Sequence, residues 1–207
     1  MTPAHNNNNI TLKVIDKLHP LRHEVEQYVA NRYEHAFHAH LNEFMPIFLA
    51  IYDPQNKLLS ACGYRVASKE KLFLEQYLNQ PANTLISKRY AEIISRDKLI
   101  EFGQLASFSP GMSPIHFMLM TNYLVERGFE WCIFTATDTL YAMMCKLKLN
   151  PSVLADANPN DIPNADSVWG SYYQHRPRIC CGNILAAHKQ LTERFARVSA
   201  QKRMMEQ

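Results

Sequence analysis

Apolar and polar positions alternate between Ile10 and Asp16, which predicts a first strand. From His19-Pro20 to about His40 the rhythm lengthens, and Leu21, Val25, Tyr28, Val29, Tyr33 and Phe37 fall at helical spacing. Two apolar runs, Phe44 to Tyr52 and Lys57 to Val66, flank Asp53-Pro54-Gln55-Asn56. Turn residues between strand-forming runs predict an antiparallel hairpin. Periodicity weakens over Ser68 to Arg96, where short helices fit around Phe73 to Leu78 and Thr84 to Ile94, parted by Pro81.

The stretch from Asp97 to Leu149 is the one the rest must fit around. Apolar runs at Leu99 to Ala106 and Trp131 to Thr137 suit buried strands. Between them, Ser113 can cap a helix that opens on Pro114, and Gly128 can close it in a left-handed turn. Asp138 is placed to cap a second helix directly off the second strand. The result is a β-α-β-α unit whose strands run parallel through a right-handed crossover. Beyond it, strands are expected over Ser152 to Ala157, Val168 to Gln174 and Arg178 to Ile184, with a polar loop from Asn158 to Asn164. Leu185 to Gln207 reads as an amphipathic helix, with Leu191, Phe195 and Val198 on one face and Lys189, Arg194, Arg197, Lys202 and Arg203 elsewhere. Residues 1–9, with the Asn6 to Asn9 run, are expected to form a disordered polar tail.

Composition narrows the function more than the fold. At 207 residues the chain can bury about 70% of its unfolded surface and needs no disulfide staples. A net charge of +3, without interleaved basic and aromatic residues, argues against nucleic acid as a partner. The opening MTPAHNNNNI lacks the basic-then-apolar order of a secretory signal. No apolar run approaches the roughly 18 to 20 residues of a membrane helix. Five cysteines, with Cys180 and Cys181 adjacent, suit reduced thiols and a cytoplasmic location. His19 and His23 stand four apart but lack the glutamate of a zinc-protease helix, so a solvated helix face is expected and no metal. No Gly-x-Ser-x-Gly elbow supports a serine hydrolase.

Several runs carry a family resemblance. Phe73-Leu74-Glu75-Gln76-Tyr77-Leu78, Ser95-Arg96-Asp97, Glu101-Phe102-Gly103-Gln104-Leu105-Ala106 and Trp169-Gly170-Ser171-Tyr172-Tyr173 resemble the thermostable haemolysin family. That family looks like a branch of the GNAT-type N-acyltransferases near the acyl-homoserine-lactone synthases. The resemblance implies an α/β (or α+β) fold, a mixed central sheet with helices on both faces, over residues 10–185, followed by the amphipathic helix at 186–207. A looser likeness links Arg22, Tyr28, Arg32 and Tyr33 to the arginine-aromatic pattern in the first helix of the lactone synthases. Gly63-Tyr64-Arg65 resembles their glycine-x-arginine, and Glu101 stands where they bear a catalytic glutamate. Their Ser-Arg pair is replaced here by Gly103-Gln104. Of the acetyltransferase pyrophosphate loop, only Gly111 fits within Phe108 to Ser113, with Ser113 a small stand-in. Met144 falls where many acetyltransferases carry an acidic tyrosine, and Lys148 where they carry glycine. These departures favour a thioester carrier other than acetyl-CoA.

Amide formation from a thioester requires a donor to polarise the carbonyl, a base for the amine proton and a dipole for the carrier's phosphates. The helix start at Ser113 to His116 offers free N–H groups, and Gly103, Leu105, Gly111, Met112 and Ser113 are the candidate carrier-binding residues. Glu101 interrupts an apolar strand, and a buried carboxylate is costly unless paired or protonated. It is either the base or half of an ion pair with Arg65 or Arg96. Gln104 is a second candidate or the filler of a bulge that Gly103 permits, and Tyr141 is the nearest phenol for proton donation. Arg65, Thr137 and Asp138 are candidates for holding the acceptor. The expected function is transfer of an acyl group from acyl-CoA or acyl-carrier protein, as co-substrate and not as a tightly bound cofactor, to a small amine. The alternatives are a membrane-active or effector protein using the basic amphipathic tail, and a GNAT-like ligand-binding protein without turnover.

Overall fold

The computed structural model describes residues 10–205; the expected polar tail, residues 1–9, lies outside them. Seven strands form one sheet in the order β1-β2-β3-β4-β5-β7-β6. They are β1 (Thr11–Ile15), β2 (Ile47–Tyr52), β3 (Leu58–Val66), β4 (Leu99–Ser107), β5 (Trp131–Ala136), β6 (Ser152–Asp156) and β7 (Arg178–Asn183). The helices are α1 (Arg22–Phe37), α2 (Ala82–Tyr90), α3 (Met112–Glu126), α4 (Asp138–Lys146), α5 (Ala165–Trp169) and α6 (Ile184–Met205). Every pairing is antiparallel except β4 with β5. The expected crossover unit and hairpin are thus present, in a mixed sheet.

Alternation along β4 divides the core. Ile100 faces a cluster with Phe117, Met120 and Leu124 of α3 and Leu191 of α6. Leu99 faces the other way, toward Leu72, Leu74 and Ile86. On that same side Val25, Val29 and Tyr33, spaced four apart on α1, are buried over β2 and β3. Helices therefore cover both faces. A sheet buried on both sides explains why β2, IFLAIY, is almost wholly apolar and not alternating.

Three local expectations fail for identifiable reasons. Val168 to Gln174 is not a strand: α5 ends at Trp169 and a tight 3-10 turn spans Tyr172–His175. Between them Gly170, at φ 54°, presses against α1, where a Cβ would stand 2.2 Å from the Phe37 carbonyl oxygen. The Ser171 N–H donates to that oxygen at 2.7 Å, so docking overrides strand propensity. Ser113 does not cap α3; Gly111, at φ 75°, takes the cap position and makes no side-chain bond. Asp138 does not cap α4 either. Thr137 accepts from the Leu140 N–H, while the Asp138 carboxylate is bound by Arg178 and flanked by Arg176. Gly128, at φ 76°, does end α3 as expected.

Candidate active site

Strands β4 and β5 pair only from Leu99–Trp131 to Phe102–Phe134. Past that point β4 stays with β3, and its register slips where Gln104 and Leu105 oppose Cys62 alone. Gln104 takes φ 54°, so the extra residue is a bulge that twists β4 away from β5. The strands splay, and a cavity of about 820 Å³ occupies the gap. It opens on both sheet faces. On the α3, α4 and α6 side its lining is mainly apolar, with Phe117, Met120, Met143, Met144, Leu149 and Leu191 beside Ser113, Thr121 and Thr139. On the α1 side it is bounded by Arg65, Glu101, Tyr77, Trp169 and the segment Leu41 to Met45.

Glu101 stands where these halves meet. Its side chain is 0% exposed. Oε2 accepts the Leu74 N–H at 2.9 Å. Oε1 has no hydrogen-bond partner among the described residues, and Arg65 Nε lies 3.5 Å from it. Burial pushes the carboxyl up from 4.5 to about 7, with the Leu74 N–H and the Arg65 charge pulling the other way. A carboxyl poised there can hold or release a proton near neutrality. Arg65 is held by several groups at once: Nη1 lies 3.3 Å from Glu70 and Nε donates to Met45 Sδ at 3.3 Å. Arg96, the other partner considered for Glu101, pairs with Glu75 at 2.6 Å.

Gly103 and Gly63 make room for Met45. A Cβ on either would come within 2.3 and 2.4 Å of Met45 carbons, so neither position admits a larger residue without displacing that side chain. The Gln104 amide is engaged at both ends, accepting the Met45 N–H at 2.9 Å and donating to the Glu43 carbonyl at 2.7 Å. It fastens Glu43 and Met45 to β4 beside the cavity, a positioning task for this side chain.

The structure gathers Arg65, Glu101, Gly103, Gln104, Leu105, Ser113 and Thr137 around the cavity. Gly111, Met112, Asp138 and Tyr141 are not among its lining residues. Tyr141 instead lies under the Arg178 guanidinium, 4.8 Å from ring centroid to Cζ. Three contributors escape a linear reading: the Leu74 N–H, the thioether of Met45 and the apolar chamber assembled from three helices. Arg32, named in the arginine-aromatic pattern of the first helix, donates from Nε to the Ser107 carbonyl at 2.9 Å and reaches the cavity at the far end of β4. Buried Ser60 and His116 also pair, 2.7 Å apart, but the Ser60 hydroxyl donates to Ala106 and neither residue lines the cavity. Among the described residues no group of His, Cys, Asp and Glu could hold a metal ion, and no helix is long and apolar enough to cross a membrane.

Known structures share this architecture. FeeM, an N-acyl amino acid synthase from uncultured soil microbes, superposes with a TM-score of 0.58 at 11% identity, over 88% of this chain and 94% of its own. The AHL synthase LasI gives 0.57 at 12% identity, over 85% and 90%. BjaI, a CoA-dependent acyl-homoserine lactone synthase whose structure holds SAM and isopentyl-CoA, gives 0.57 at 9% identity, over 91% and 90%. At such identities the likeness establishes the fold, that of the N-acyltransferases. No curated protein sequence matches the chain. The thermostable hemolysin model, by contrast, matches residues 15–188, and to that family the chain belongs.

Proposed function

We propose that the protein transfers an acyl group from a thioester carrier to an amine. The observation that carries this reading is the position of Glu101: a buried carboxyl with one unsatisfied oxygen, at the waist of a cavity with an apolar chamber on one side and a polar-aromatic one on the other. The acyl chain occupies the apolar chamber, where burial of each methylene contributes about 0.8 kcal/mol. The bulge at Gln104 leaves strand backbone unpaired beside the gap and supplies a donor for the thioester carbonyl. Ionised Glu101 takes a proton from the amine, whose nitrogen attacks the carbonyl carbon. The C–N bond forms, the C–S bond breaks, and the departing thiolate is protonated in turn. Arg65 and the Leu74 N–H hold the carboxylate in place. Ser113 at the start of α3 and Arg32 at the end of β4 serve the anionic groups of the carrier.

The carrier is acyl-CoA or an acyl-carrier protein, used as a co-substrate. BjaI was solved with isopentyl-CoA, and FeeM is an N-acyl amino acid synthase, which supports this chemistry class. Five cysteines without a disulfide support a reducing, cytoplasmic setting. Direct membrane action by the C-terminal helix draws less support, because Leu191 is fully buried and Phe195 packs against the same core. Incubation of the pure protein with acyl thioesters of graded length and a panel of amines is the test. Amine-dependent thiol release with formation of the amide is expected. If no donor binds and no thiol appears above background, the reading fails.

A further inference from the structure

The side of the cavity that holds Glu101 is walled by rings. Tyr33, Phe73, Tyr77, Trp169, Tyr172 and Tyr173 all line it. They form one connected surface, with centroids 6.0 Å apart for Phe73 and Trp169, 5.5 Å for Trp169 and Tyr172, and 6.4 Å for Tyr33 stacked on Tyr172. The Tyr77 and Tyr173 hydroxyls bond each other at 2.6 Å, which ties these two side chains together in the wall. The wall is held rigidly, since the tight approach of Gly170 and the Ser171 bond to Phe37 lock the Trp169 segment onto α1. It joins the carboxylate through one short segment: Phe73 is adjacent to Leu74, whose N–H holds Glu101.

The charges in this chamber are not those that would receive an acid. Glu101 Oε1, which receives no hydrogen bond from the described residues and lies 3.5 Å from Arg65 Nε, is the buried acceptor. Arg65, the cation beside it, is already shared between Glu101 and Glu70. Arg32 sits at Ser107, six residues along β4 and past the bulge, at the end given to the carrier's anionic groups. A ligand bringing its own carboxylate next to its amine would place it against Glu101, where the neighbouring cation, Arg65, is already paired. An ammonium, in contrast, is favoured both by the carboxylate and by the faces of surrounding rings.

We infer that the acceptor is an arylalkylamine: a flat aromatic body on a short arm ending in a primary amine, without an adjacent carboxylate. The ring stacks in the wall of Trp169, Tyr172 and Phe73, and the arm delivers the nitrogen to Glu101. The fate of that nitrogen rests on the acyltransferase reading, but its binding does not.

Calorimetric titration of the full-length protein, with no acyl donor present, separates the two. Tyramine and phenethylamine are expected to bind at least tenfold more tightly than tyrosine, ethanolamine or butylamine. Trp169→Ala is expected to lose that tenfold preference. Because Trp169 also supports the core, Phe73→Leu serves as a milder variant that keeps volume and removes the ring; it is expected to weaken arylalkylamines severalfold and leave ethanolamine unchanged. Equal binding of tyramine and tyrosine, or of phenethylamine and butylamine, overturns the inference, as does absence of binding by every amine. Tyramine binding without thiol release from any thioester leaves the arylalkylamine site standing and removes the transferase. Thiol release with ethanolamine or tyrosine as fast as with tyramine does the reverse.

Discussion

Glu101 is held in a state that costs the fold stability near neutral pH. Folding raises its carboxyl from 4.5 to about 7, so the folded protein prefers the protonated form. The associated stability is fully present below pH 4.5 and is lost as pH rises through 7, a difference of about 3 kcal/mol. Glu101→Gln keeps the shape and removes the charge. It is expected to melt later than the wild type at pH 8, to match it near pH 5, and to lose about 10²- to 10⁴-fold in kcat/KM. Thermal melts at the two pH values and a pH–rate profile check this. The wild-type profile should fall below about pH 7, where Glu101 takes up its proton. Glu101 was legible from sequence because an acidic residue inside an apolar strand is physically expensive. Its partners were not. The Leu74 N–H comes from 27 residues away, and Met45 approaches through space cleared by two glycines on different strands.

Elements were legible in kind and less so at their ends. The β-α-β-α unit and hairpin followed from periodicity and turn residues. The cap of α4 moved by one position, because Asp138 has a stronger bidder in Arg178 and Thr137 takes its place. Thr137→Ala is expected to lower stability by about 1 kcal/mol in denaturant titrations. The WGSYY run has strand-like composition, and only its docking against α1 explains why it turns instead. The bulge at Gln104 has a mechanical consequence that its side chain extends, since the amide pins Glu43 and Met45. Gln104→Ala removes both bonds at a cost of about 1–3 kcal/mol. Faster amide exchange at Glu43 to Met45 is expected, with a raised acceptor KM and a kcat close to wild type. A collapse of kcat with KM unchanged would instead give Gln104 a chemical role.

At the scale of the whole molecule, the cavity is bounded by two different cores, and the proposed donor and acceptor fall one to each. Leu191 of α6 and Met120 of α3 bound the apolar end, and both are buried. Leu191→Trp fills that end. Donors with short chains should keep their rates while long-chain donors lose theirs, as a chain-length series of thioesters would show. Uniform loss across the series would point to damaged packing. No linear reading could have drawn this chamber, because its walls come from α3, α4 and α6, brought together only when the sheet is complete.

The limited contact between β4 and β5 has a further outcome. With four matched residue pairs at one end, the sheet has the outline of a pair of tweezers, β1 to β4 forming one arm and β5 to β7 the other. A thioester lying in the gap becomes a rung that neither arm can supply alone. Occupied protein should therefore protect the amides of Gly103 to Ser107 and of Thr135 and Ala136 from exchange together, coupling the two arms only while a donor is in place.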